Sequence, residues 1–340
     1  MATILHSIAP LVLIIVAGFA AGVTGLLSST FRKALSDFCY YFGMPALLVR
    51  TIATAPPGST AAHLIWISYL LPAASIWIAA TLFARDEGSS PSSEAPSIAM
   101  ASAYGNVIML GIPLAFAQFG QVAATTVAFI VLVHSPVLFL LAELHSELAD
   151  GFRASRLREA AALSMPMGGV ALHRGRAVRK SLFRATRDVS IELTTNPIII
   201  AILIGLLLRI SGVGLDPISS AALSLLGQAT LPCVLLAMGL SLSTFELTGE
   251  IGMIGVISFL KLVAMPAIAW LVTAHLLRLP PNDVAIITLL SAMPTGANAY
   301  VFASRWGKAE ASVSGAVALS TMLSIVTITT VLTTVGMRTE

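Results

Sequence analysis

Apolar runs of roughly twenty residues recur along almost the whole chain, separated by short polar or turn-rich stretches. A helix rising about 1.5 Å per residue needs a run of that length to cross the hydrocarbon core of a bilayer. The strands of a membrane barrel would instead show about ten residues of alternating polarity. Ten spans are predicted, at roughly 5–27, 34–55, 62–84, 97–119, 122–145, 190–211, 217–245, 251–275, 283–304 and 311–335. Turn residues mark the short connections: Ala55-Pro56-Pro57-Gly58, Gly212-Val213-Gly214 and Leu279-Pro280-Pro281-Asn282. The expected fold is an all-α polytopic membrane protein.

Two spans are interrupted. Within the fourth, Tyr104–Gly120 reads YGNVIMLGIPLAFAQFG, with Asn106 followed by Gly111-Ile112-Pro113. Proline lacks a backbone donor and clashes with the carbonyl four residues back, so the helix is expected to kink or open near Gly111. The ninth reads LLSAMPTGANAYVFASRWG, broken at Met293-Pro294-Thr295-Gly296. Ser291, Thr295 and Asn298 are spaced to share one helix face, as are Ser102 and Asn106. If the helices open at Pro113 and Pro294, each second half begins with unpaired N–H groups and a positive dipole end. Two such ends facing one another suit a carboxylate, with Asn106 and Asn298 adding hydrogen bonds. The plainer alternative is a pair of kinked helices whose Asn and Ser side chains satisfy the freed carbonyls.

Composition agrees with the pattern. The 340 residues are 57% hydrophobic and 10% charged, with a mean hydropathy of +0.92, whereas a soluble domain is about 25% charged. The net charge of +3 comes mostly from one connection, 149–188, holding Arg153, Arg156, Arg158, Arg174, Arg176, Arg179, Lys180, Arg184 and Arg187. The positive-inside rule puts that loop in the cytoplasm and both termini outside. Arg32, Lys33, Arg85, Arg305 and Lys308 then fall on the cytoplasmic side, and only Arg209, Arg278 and Arg338 on the outer side. With no interleaved aromatics, the basic excess reads as membrane orientation and contact with lipid headgroups, not as nucleic-acid binding.

The halves, 1–148 and 189–340, echo one another. Gly18 and Gly205, Pro45 and Pro232, and Gly120 and Gly307 are each 187 residues apart. Five spans per half is an odd number, so the two halves must lie in the membrane with opposite orientation. Inverted repeats with paired broken helices mark alternating-access transporters and point to their binding sites.

Lys261 lies in the eighth span, about eleven residues or roughly 16 Å deep. A charge at that depth usually faces a cavity or a partner. It could pair with an anionic substrate, act as a proton-coupled switch, or stand as a fixed replacement for a bound cation; the bland alternative is a snorkelling stem. His134 reads as a membrane histidine bonding a neighbour, Arg50 as snorkelling at the outer interface, and Pro45 and Pro232 as helix breaks. Glu143, Glu147 and Glu192 read as solvated helix ends. Cys39 and Cys233 read as small buried hydrophobes. Motifs of hydrolases, nucleotide-driven pumps and metal sites are missing, so neither an enzyme nor a cofactor or metal is expected.

Several of these residues resemble the auxin efflux carrier family, which includes bacterial malonate-type carriers. The run Asn106 to Leu114, NVIMLGIPL, resembles its fourth-helix motif. Asn196-Pro197-Ile198-Ile199-Ile200, Leu231-Pro232 with Met238-Gly239, Lys261 with Met265-Pro266, and Met293 to Asn298 resemble its sixth to ninth helices. The resemblance implies ten helices in two inverted five-helix repeats, with helices four and nine crossing at their prolines. It implies a scaffold of helices 1, 2, 6 and 7, a transport domain of helices 3–5 and 8–10, a homodimer, elevator-like motion and organic-anion substrates. The short basic loop fits a bacterial inner-membrane member.

The reading is a secondary transporter of a small carboxylated solute, with Asn106, Gly111, Pro113, Lys261, Pro294, Thr295 and Asn298 at its site. One rival is a sodium-coupled symporter of the bile-acid type, which shares the fold; sodium-dependent uptake would favour it. Another is a membrane receptor that binds a ligand without moving it, which binding without flux would favour. Coupling to protons or sodium stays open at the level of sequence.

Overall fold

The structure, a computed structural model, describes residues 2–56, 60–84, 93–162, 194–244 and 249–335. Among them every extended regular element is helical. In chain order the α-helices are α1 (Ala2–Val23), α2 (Ser29–Phe38), α3 (Met44–Thr54), α4 (Ala62–Phe83), α5 (Ala95–Ala103), α6 (Ile112–Phe119) and α7 (Ala124–Ala162). There follow α8 (Pro197–Ser211), α9 (Pro217–Leu242), α10 (Ile251–Phe259), α11 (Met265–Trp270), α12 (Pro281–Ser291), α13 (Ala297–Trp306) and α14 (Glu310–Thr334). Among the described residues, helix occupies most of each apolar stretch read from the sequence. Among the described residues five helices are long and apolar enough to cross a membrane: Ala62–Phe83, Val107–Asp150, Pro217–Leu242, Ile251–Leu276 and Glu310–Thr334. The helix begun at Ala124 runs on to Ala162, so the basic connection starts as helix; residues 163–188 lie outside the described part, as does Glu192.

Single turns of π-helix take up three of the prolines. Cys39–Gly43 precedes Pro45, Val107–Gly111 precedes Pro113, and Leu260–Ala264 precedes Pro266. In the widened turn the hydrogen bond reaches five residues back, so the proline ring is accommodated without ending the helix. Pro45 therefore does not break its helix, contrary to the sequence reading. Pro232 does not either, and sits inside the continuous α9.

One body packs α1 along α9 and α3 along α8, with α2 and α3 also on α9. The α1–α9 contact needs glycine on both sides: a Cβ at Gly239 would overlap the carbonyl oxygen of Ile15, and one at Gly18 the carbonyl of Leu236. Small residues let helix backbones approach closely where no hydrophobic difference between lipid and side chain drives association. The α8–α3 contact has the same form, with Gly205 against Ile52 and the Val49 carbonyl. The other body gathers α4, α5, α7 and α10–α14.

Away from the middle of the spans, two groups of polar contacts lie near helix ends. At one end Arg32 bonds Thr244 at 2.7 Å, Lys308 bonds Ser93 at 3.3 Å, and Arg305 pairs with Glu143 at 3.1 Å. Glu143 is thus ion-paired and mostly shielded rather than a solvated helix end. At the other end Arg209 donates to the Pro56 carbonyl at 2.6 Å and to Thr125 at 3.1 Å. There too Gln121 bonds Thr54, and Asp283 accepts from the hydroxyls of Thr60 and Thr126.

Candidate functional site

The fourth and ninth spans break where they meet. Helix α5 stops at Ala103, Tyr104–Asn106 leave the helix, and helix resumes at Val107. Helix α12 stops at Ser291, and α13 begins at Ala297. An isolated antiparallel bridge joins Gly105 to Thr295. The Asn106 N–H donates to the Pro294 carbonyl at 2.7 Å, and the Gly296 N–H donates to the Tyr104 carbonyl at 2.9 Å. Broken helices expose backbone groups that hydrocarbon cannot satisfy; here each break satisfies the other. The fourth-span break therefore lies at Tyr104–Asn106, not at Gly111–Pro113. Because these breaks interrupt the helical spacing, Ser102 and Asn106 do not share a face, nor do Ser291, Thr295 and Asn298. Ser102 bonds within its own helix, to the Ile98 carbonyl.

Lys261 reaches the bridge from the π turn after α10. It is fully buried, and its Nζ donates to the Ser291 carbonyl at 2.7 Å and lies 3.0 Å from Met265 Sδ. Ser291 ends α12, so the ammonium meets an orphan carbonyl at the negative end of a helix. Gly105 leaves room for this stem: a Cβ there would lie 3.0 Å from Lys261 Cε and 3.1 Å from Nζ.

His134, from α7, holds the other side. Its Nε2 lies 3.0 Å from the Gly105 carbonyl and its Nδ1 2.8 Å from the Tyr69 hydroxyl. A carbonyl only accepts, so Nε2 carries the proton, and in the neutral ring Nδ1 accepts from Tyr69. The Tyr104 ring lies 4.3 Å from the His134 ring, centroid to centroid. Tyr104 shares a hydrogen bond with Ser135 at 2.8 Å and accepts one from Asn298 Nδ2 at 3.1 Å. The Thr295 hydroxyl donates to the Ala101 carbonyl and its N–H to Ser320 Oγ on α14.

The structure thus brings Asn106, Lys261, Pro294 and Thr295 together at the bridge, with Asn298 joined through Tyr104. Asn106 is half-buried, and its carboxamide makes no hydrogen bond among the described residues. Gly111 instead packs on Leu290 and Met293. Pro113, about 10 Å along the helix from Asn106, lines a cleft of about 330 Å³ between α3, α6 and α9, with Leu47, Arg50, Phe116, Ser224 and Gln228. The neighbours expected for His134 are Tyr69 and the Gly105 carbonyl; their identity, and the position of Arg50 on this cleft, are not legible in the sequence. A histidine in mid-span was the available signal for the first; a surface-seeking arginine gave none for the second. Among the described residues no three His, Cys, Asp or Glu side chains gather to hold a metal.

A family model described as "Membrane transport protein" matches residues 3–332. The chain is also 26% identical, over 300 residues, to a protein of Rhizobium meliloti (strain 1021) named "Putative malonate transporter". That match covers 87% of this chain and 84% of the relative.

Proposed function

The chain belongs to the membrane transport protein family, and from that premise we propose that it carries a small carboxylate across a bacterial inner membrane by alternating access. It is a membrane transporter and not an enzyme. The observation that carries the substrate class is the Gly105–Thr295 bridge. It sets the helix starts at Val107 and Ala297 beside the uncommitted Asn106 carboxamide. The first N–H groups of those helices have no intrahelical acceptors and favour an anion. The name of the Rhizobium relative makes malonate the first candidate.

Lys261 takes the part of a bound cation in this reading. Its ammonium neutralises the helix end at Ser291, so transport needs no sodium. The proposed frame is two inverted five-helix repeats, and three observations support it. Gly18 on α1 meets α9, while its counterpart Gly205 on α8 meets α3. Gly120 and Gly307 both take positive φ at the ends of the broken spans, 58° and 61°. Outside the crossing, Arg32, Lys308 and Arg305 bond near one set of helix ends and Arg209, Gln121 and Asp283 near another, the placing that alternating spans would give. On the charge asymmetry, both termini face outward and the 149–188 loop faces the cytoplasm.

Helices α1–α3, α8 and α9 form the scaffold, within a homodimer, and the remaining helices move against it, elevator-like. A thermal-shift screen of the purified protein against mono- and dicarboxylates tests the site, because a ligand stabilises in proportion to its binding. The expected result is stabilisation by at least one carboxylate, unchanged by sodium and lost in Asn106→Ala. A sodium requirement would overturn the role of Lys261, and equal stabilisation of Asn106→Ala would move the site.

A further inference from the structure

The cleft between α3, α6 and α9 holds a cation without a partner. Arg50 lines it, its Nε is shut away from solvent with no hydrogen-bond acceptor, and no other group among the described residues pairs with its guanidinium. Three other arginines are engaged: Arg209 on Pro56 and Thr125, Arg305 on Glu143, Arg32 on Thr244. A guanidinium is a rigid fork of donors matched to the two oxygens of a carboxylate. The walls beside it, Leu47, Pro113, Phe116 and Leu231, are apolar and strengthen any charge interaction inside. Gln228 and Ser224 add polar atoms on the facing helix, linked by a 2.9 Å hydrogen bond.

Position gives this cation its meaning. Thr54, one turn on from Arg50, bonds Gln121, at the same end of the bundle as Arg209 and Asp283. Helix α6, which carries Pro113 into the cleft, continues the helix that starts at Asn106 and Val107. A solute entering from that end passes Arg50 before it reaches the bridge.

We propose that this cleft is a second anion site, in which Arg50 binds the carboxylate of a small organic anion on its approach to the crossing. The order of the two sites rests on the carrier reading; binding at Arg50 does not. It is tested on the purified full chain by phenylglyoxal modification, which targets arginine, read residue by residue by mass spectrometry. Malonate is the probe, against chloride at equal ionic strength. Malonate is expected to slow modification of Arg50 about fivefold or more and to leave the exposed Arg278 unchanged. Equal rates at Arg50 overturn the proposal. Asn106→Ala is expected to keep the protection; its loss there would merge the two sites and refute their separateness. Arg50→Gln is expected to weaken malonate binding by calorimetry about tenfold or more, with Arg50→Lys intermediate. If Arg50→Gln does not fold, the wild-type labelling decides. Protection of Arg50 in a chain that moves no malonate into vesicles would keep this site and remove the carrier reading. Malonate flux without protection would do the reverse.

Discussion

Lys261→Met isolates the charge at the crossing. Methionine keeps a long unbranched stem and removes the ammonium that donates to the Ser291 carbonyl at 2.7 Å. That carbonyl ends α12, and the Thr295 N–H that an unbroken helix would offer it is committed to Ser320. Ser291 would be left with a buried acceptor and no donor. A hydrogen bond to a charged group is worth about 1.5–3 kcal/mol net. At about 1.4 kcal/mol per factor of ten, that is roughly a 10- to 150-fold effect. The loss should fall on transport, because the Gly105–Thr295 bridge and its flanking contacts remain to hold the fold. The assay is uptake of labelled malonate by proteoliposomes, beside gel filtration to show a monodisperse protein. Uptake is expected to fall by that 10- to 150-fold. Lys261→Arg should not rescue it, since Gly105 and Met265 leave no room for a guanidinium. Wild-type uptake by Lys261→Met would refute the reasoning.

Other substitutions probe the frame. His134→Leu removes the donor to the Gly105 carbonyl and should lower stability by about 1–3 kcal/mol, read as an earlier thermal transition. Asp283→Asn turns an amide toward the hydroxyls of Thr60 or Thr126 and should cost a similar ~1–3 kcal/mol by the same measurement. Gly239→Val should force α1 from α9 and lower the melting temperature sharply, while Gly255→Ala, with open space around it, should melt like wild type. Pro113→Ala should keep malonate uptake within about threefold, a difference of under 1 kcal/mol, because Tyr104 and Pro294 hold the break. A loss matching that of Lys261→Met would return the break to Pro113.

The helical stretches are legible because twenty apolar residues in a row have few other uses. The meeting of the fourth and ninth spans is legible in outline, since Pro113 and Pro294 each advertise a break and the family resemblance implies that the two helices cross. The exact residues of the fourth break are not. Proline is a strong local signal, but a single π turn absorbs it, and the opening occurs where the partner Pro294 offers a carbonyl. That choice is made by tertiary pairing, which no local pattern records. Lys261 is conspicuous by its charge, yet its acceptor, a helix-end carbonyl thirty residues away, follows only from the fold. The cleft beside Arg50 is illegible for the same reason: depth along a span says nothing of what an arginine faces.

The central claim is that a carboxylate bound at the crossing is carried from one side to the other. Counterflow measures this most directly: proteoliposomes loaded with unlabelled malonate are diluted into trace labelled malonate without sodium. Transient accumulation of label above equilibrium is expected, faster than in empty vesicles, slowed about tenfold or more by Lys261→Met and absent with Asn106→Ala. Saturable binding of malonate with no counterflow would contradict it.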